Sequence, residues 1–193
     1  MGLSLVTPAT AEPVSLAEAK AHLRVSGSDE DGLIAGYLMA ARSYAQTYTR
    51  RVFSQQTWEQ TWDYDWPRDE WRRPRLVLAV QPVVSITSLA YVPEGGGSTT
   101  LTAGTHYVSR VGDDQLAVIE PAYDVTWDGV RDQLAAVTVR FVAGYTRLPE
   151  EVRMAILRTL GALYENREDV IVGTSAVELP LSASRLLDPY VVR

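Results

Sequence analysis

The stretch Leu148-Pro149-Glu150-Glu151-Val152-Arg153-Met154-Ala155-Ile156-Leu157-Arg158-Thr159-Leu160-Gly161-Ala162-Leu163-Tyr164-Glu165-Asn166-Arg167-Glu168-Asp169 decides how this chain is read. Val152, Ala155, Ile156, Leu160 and Leu163 repeat at the spacing of one helical face packed on a core. Met154, Leu157, Gly161 and Tyr164 form a second stripe of apolar or small residues. A helix apolar on two sides has to be covered on two sides. The second cover is expected either from the chain's own sheet or from another subunit.

Outward from this helix the pattern changes twice. Upstream, Ala136-Val137-Thr138-Val139-Arg140-Phe141-Val142-Ala143-Gly144-Tyr145 is a β-rich run. Gln56-Thr57-Trp58-Glu59-Gln60-Thr61-Trp62-Asp63-Tyr64-Asp65-Trp66 alternates with period two. It predicts a strand with Trp58, Trp62, Tyr64 and Trp66 on a buried face and the acids on a wet one. Strand-like runs also cover 75–80, 84–92, 99–101, 106–109 and 116–119. Gly95-Gly96-Gly97 lacks the spacing of a phosphate cradle and reads as a hairpin tip. Asp65 to Arg75, with Trp66 and Trp71, is a charged connection.

Near the N-terminus, Ser15-Leu16-Ala17-Glu18 is a capping box that opens a short helix with Leu16, Ala19 and Leu23 on one side. Asp29-Glu30-Asp31 starts a second helix, where acids suit the positive end of the helix dipole. Leu33, Ile34, Tyr37, Leu38, Ala41, Ala45 and Tyr48 mark its apolar face. These elements predict an α+β fold. A helical bundle core, of two N-terminal helices plus the long C-terminal helix, carries an inserted antiparallel β subdomain. The expected divisions are an extended arm over 1–14, a helical core over 15–53 and 146–169, a β subdomain over 54–145, and an irregular tail over 170–193.

Composition narrows function mostly by exclusion. The 193 residues are 46% hydrophobic, which is globular. No apolar run approaches the roughly 18 residues of a membrane span, and no secretory signal is expected from Met1-Gly2-Leu3-Ser4-Leu5-Val6. With no cysteine, disulfides and thiolate chemistry are excluded. The two histidines, His22 and His106, leave little room for histidine-based metal or general-base sites. The net charge of −6 disfavours a nucleic-acid clamp. Lys20 is the only lysine; the arginine bias either serves interfaces or reflects codon composition.

No nucleophile elbow, phosphate loop, zinc-protease or dinucleotide motif is present. Asp63 and Asp65 sit beside tryptophans but on the opposite strand face, the wrong arrangement for a sugar site. Neither Asp113 and Asp114 nor the histidines carry a triad signature. The reading is therefore no enzyme, with no catalytic, cofactor or metal residues.

The order of segments is more specific than any one of them. Pro13-Val14-Ser15-Leu16-Ala17-Glu18-Ala19-Lys20-Ala21-His22-Leu23-Arg24-Val25 precedes acids and a tyrosine-rich helix. Gln56-Thr57-Trp58, Ile86-Thr87-Ser88-Leu89-Ala90-Tyr91, Phe141-Val142-Ala143-Gly144-Tyr145 and Leu163-Tyr164-Glu165-Asn166-Arg167-Glu168 follow. Over residues 13–192 this order resembles the head-tail connector (adaptor) proteins of tailed bacteriophages and gene transfer agents, the gp6-like and phiE125 gp8-like families. The charged stretch Asp65 to Arg75 matches nothing in that pattern.

The resemblance implies a structural subunit in the neck of a virion or gene transfer agent particle. It implies a homo-oligomeric ring of about twelve copies beneath the portal protein. A stopper or tail-completion protein would lie below, and double-stranded DNA would pass through the lumen without sequence-specific binding. Expected portal or subunit contacts are Met154, Leu157, Gly161, Leu186, Leu187, Tyr190, Val191 and Val192. No cofactor and no membrane are implied. Competing readings are another neck or tail-completion protein (stopper or terminator), or a carbohydrate or cell-wall-binding module built on the aromatic strand. Exposed tryptophans would favour the last.

Overall fold

The computed structural model describes residues 1–70, 73–112, 116–166 and 181–192. The chain is mixed α+β and falls into two compact units. One joins residues 1–10 to 54–146; the other joins 11–53 to 147–193.

The first unit holds two antiparallel sheets. Strands β1 (Gly2–Thr7), β2 (Gln56–Trp62), β3 (Leu76–Val77), β4 (Val83–Tyr91), β5 (Thr99–Leu101), β6 (Tyr107–Arg110), β7 (Val118–Pro121) and β8 (Val137–Ala143) follow in chain order. The larger sheet runs β1-β2-β8-β4-β5 and the smaller β3-β7-β6. At the centre of the larger sheet β8 alternates as its sequence dictates. Val137, Val139, Phe141 and Ala143 are buried, and Arg140 faces solvent beside Glu59 at 2.8 Å. Trp58, Gln60 and Trp62 of β2 lie opposite Phe141, Val139 and Val137, so they share the buried face. Gln60 is fully buried there, and it is satisfied. Its Nε2 donates to Val77 O (3.1 Å) and its Oε1 accepts from Ala79 N (2.8 Å). One side chain thus joins β2 to β3 and to the segment that follows it. Gly95 to Gly97 lie in the connection between the paired strands β4 and β5, as a hairpin tip should.

Three elements depart from the sequence reading. Residues Gly2–Thr7, expected in an extended arm, form edge strand β1. The aromatic strand stops at Trp62. Asp63 accepts from Ala135 N, Tyr64 turns into the left-handed region at φ 68 with its N–H on Gln133 O, and Asp65 N bonds Asp63 O. Tyr64 consequently faces outward, 54% exposed, off the buried face it was assigned to. The expected irregular tail contains a helix.

The second unit packs helices α1 (Leu16–Leu23), α2 (Asp31–Thr49), α3 (Glu150–Glu165) and α4 (Leu181–Leu187), followed by a 3-10 turn Asp188–Tyr190. The capping box of α1 is present: Ser15 Oγ accepts from Glu18 N (3.2 Å) and Glu18 Oε2 from Ser15 N (2.9 Å). Helix α2 buries Ile34, Leu38, Ala41, Ala45 and Thr49. Leu33, read as part of that face, is 39% exposed, and Thr49, which was not, is buried with its hydroxyl on Ala45 O. Helix α3 buries Val152, Ala155, Ile156, Leu157, Thr159 and Leu160, and packs on α1, α2 and α4.

Candidate assembly surfaces

The second stripe of α3 is where the sequence left a choice of cover. Arg153, Leu157, Gly161 and Tyr164 follow one another along one helical face. Arg153 NH1 meets Glu18 Oε1 at 2.5 Å, the Tyr164 hydroxyl donates to Glu30, and His22 Nε2 lies 3.7 Å from where a Cβ on Gly161 would sit. Helix α1 and the turn before α2 therefore cover this face, all within the helical unit, which corrects the expected choice between the sheet and a neighbouring subunit. Leu157 is 7% exposed and Gly161 half-buried, whereas Met154 is 38% exposed. The hydrogen bonds from Ser15 and, less, the Arg153 guanidinium hold the Glu18 carboxyl below the usual carboxylate range.

The C-terminal segment is fastened to the ends of α2 and α3. Tyr48 OH donates to Asp188 Oδ1 (2.5 Å), Arg51 Nε to Tyr190 O (2.7 Å), and Val192 N to Thr49 O (3.0 Å). Tyr190 OH donates to Glu151 Oε2 at 3.0 Å. The bond to Asp188 pushes the Tyr48 phenol up. The Glu151 carboxyl is lowered by its own backbone N–H first and by Tyr190 second. Ala183 and Leu187 are fully buried; Leu186, Tyr190, Val191 and Val192 are half-buried. Of the eight expected contact residues, Leu157 and Leu187 are thus interior supports. Met154 presents the most open side chain.

The tryptophans answer the carbohydrate alternative. Trp62, Trp66 and Trp127 are buried and Trp58 half-buried; Trp71 lies outside the described residues. Trp66 packs on Trp127 (4.3 Å between centroids) and Tyr91 (5.1 Å). Its indole donates to Asp128 O, and that of Trp127 to His106 O. Trp66 and Trp127 form a core with satisfied polar edges, not a platform for sugar stacking.

Of the polar residues weighed for catalysis, Asp65 and His106 are engaged in structure. Asp65 accepts from Trp66 N, and His106 Nδ1 from Thr102 N. Asp113 and Asp114 lie outside the described residues. A cleft of about 280 Å³ beside Trp127 carries Asp69, Arg73 and Glu120. Arg73 pairs with Asp69 (3.2 Å) and Glu120 with Arg75 (3.2 Å), so its charges are met internally. Among the described residues no cluster of acids and histidines could hold a metal, and no helix is long and apolar enough to cross a membrane.

The two units and their sheets define an α+β class of fold, and a fold of that class does not by itself assign an activity. Comparison with known proteins gives that class a definite family likeness: residues 13–86 match the phage gp6-like head-tail connector protein family. No curated protein matches the chain. Among solved structures it is similar to a chain in "Neck of empty GTA particle computed with C6 symmetry", at TM-score 0.76 and 22% identity. It is also similar to chains in "Virion of native gene transfer agent (GTA) particle", at 0.74 and 22%, and "Neck of native GTA particle computed with C12 symmetry", at 0.70 and 19%. Each likeness covers 100% of this chain and 97% of the other. The fold is therefore shared from end to end, and the resemblance read from the segment order holds.

Proposed function

We propose that this protein is a non-enzymatic head-tail connector subunit in the neck of a tailed phage or gene transfer agent particle. The observation that carries this reading is the full-length likeness to chains of such necks, at TM-score 0.76. The connector-family match over residues 13–86 supports it independently. The subunit forms a ring of about twelve copies beneath the portal and above a stopper or tail-completion protein, a number suggested by the C12 symmetry of one similar neck. The helical unit acts as a helical-bundle core and the β unit as its insertion. Met154, Tyr190, Val191 and Val192 supply contacts to the portal or a neighbouring copy, with Gly161 and Leu186 beside them and Leu157 and Leu187 shaping them from within. DNA passes through the lumen without specific binding, consistent with a net charge of −6, since an acidic wall does not retain phosphates.

The experiment is to mix purified protein with the portal of the same particle and image the product by electron microscopy. A cyclic density stacked on one end of the portal is expected. Failure to associate with portal, together with association with tail-tube ends, would overturn the reading in favour of a terminator.

A further inference from the structure

Strand β1 differs from the other strands of its unit. It is the only one drawn from outside residues 54–146. Gly2, Leu3, Ser4 and Leu5 lie in unbroken antiparallel register against Thr61, Gln60, Glu59 and Trp58. Yet all six residues of the strand are exposed. Leu3 and Leu5 share the face on which β2 and β8 bury their side chains, but they remain 45% and 46% exposed. The strand is held by main-chain pairing and by the Met1 contacts to Asp63 and Gln60, with little apolar burial.

Beyond Thr7 the chain is soon fastened again, in the other unit. Glu12 lies 2.9 Å from Arg42 Nε on α2, and Val14 is 1% exposed. Only Pro8, Ala9, Thr10 and Ala11 intervene. From Thr7 to Glu12 an extended chain reaches at most about 17 Å. A short hinge between two anchored elements invites exchange of the terminal element between copies. The exchanged strand makes the same register and the same bonds. Hinge geometry and local concentration then decide which copy it joins.

We propose that in the assembled protein β1 of one copy pairs with β2 of the next, so that each subunit completes its neighbour's five-stranded sheet. This rests on the ring reading above. The occupant of the β2 edge is a β1 strand from a second copy, because β1 is what that edge carries and its register there is set. Donor strand and acceptor edge are two different surfaces of one chain. That is the head-to-tail relation from which closed rings are built. A weakly buried strand lets free subunits hold it internally and release it when neighbours are in place.

The absence of cysteine makes the test direct. Ser4 lies opposite Glu59, and Thr7 opposite Thr57. Protein carrying Ser4→Cys alone is mixed with protein carrying Glu59→Cys alone, assembled on portal and oxidised. A covalent species of twice the subunit mass is expected, and the double variant should give a ladder of larger species. Thr7→Cys with Thr57→Cys repeats the test without removing the Glu59 partner of Arg140. Rings that form while both double variants close only within single chains would overturn the exchange and keep the ring reading. Cross-linked pairs without rings would support the exchange and overturn the ring reading. No cross-link of either kind, with both pairs of positions, would overturn the exchange along with the β1–β2 pairing it uses.

Discussion

Among the described glycines, Gly144 leaves least room for a side chain. It ends the run of β8 at φ 124, and a Cβ there would lie 2.2 Å from Ser54 O, a main-chain atom that cannot swing aside. Gly144 N also donates to Pro82 O at 2.8 Å. Gly144→Ala should therefore lower stability by roughly 2–4 kcal/mol, from left-handed strain plus a forced backbone shift. Thermal denaturation of the two proteins measures it; an unchanged midpoint would refute the close approach. Asp63 makes a pH prediction. Its carboxylate accepts from Ala135 N first and from the chain's amino group second, and both hold its pKa below the ordinary value. A depressed folded pKa stabilises the fold above the unfolded value, about 4, and that contribution is lost as pH falls through the folded value. Asp63→Asn should flatten the acid limb of the stability curve below about pH 4 and leave its neutral-to-basic shape alone. Urea titrations at a series of pH values would show it.

At the scale of elements, Gly161 contrasts with Gly144. It sits within α3 with ordinary backbone angles, and its added Cβ would meet only His22 Nε2 at 3.7 Å, a normal contact. Gly161→Ala should stabilise the helix by up to about 1 kcal/mol. Gly161→Leu should instead prise α1 away and release the Arg153–Glu18 pair. If alanine lowered the midpoint, the α1–α3 packing described above would be wrong. These same elements mark what the sequence disclosed. The Ser15–Glu18 box, the alternation of β8 and the Val152–Leu160 stripe were legible because each depends on neighbours within a few residues. The cover of the second α3 stripe was not, because Glu18, His22 and Glu30 reach it from more than a hundred residues away. Strand β1 was missed because Pro8 and Pro13 suggested an arm; what makes Gly2–Thr7 a strand is the edge of β2, far along the chain. Tyr64 went astray because period two says nothing about where a strand stops. Among the site residues, exposure separated Met154 from Leu157, a distinction their shared stripe concealed.

For the whole molecule, the C-terminal segment carries two roles that a simple deletion would confuse. Leu187 and Ala183 are fully buried, and Tyr48, Thr49, Arg51 and Glu151 all bond to residues 188–192. A chain ending at Asp169 should therefore lose stability as well as any portal contact. Burying one leucine contributes about 1.5–3 kcal/mol on its own. Lost binding by that chain would then say little about the interface. Val191 and Val192 separate the roles, because both are half-buried and their hydrogen bonds, from Val191 N to Asp188 O and from Val192 N to Thr49 O, belong to the backbone. Val191→Ser with Val192→Ser keeps both bonds and removes two apolar side chains from a candidate contact surface. The double variant should melt within a few degrees of the parent, since substitutions of this kind cost about 1 kcal/mol or less. If residues 186–192 dock on the portal, its affinity should fall at least tenfold, the equivalent of about 1.4 kcal/mol, measured by titrating labelled portal. Equal affinity at equal stability would remove these valines from the docking surface and make Met154, on the open side of α3, the next apolar contact to test.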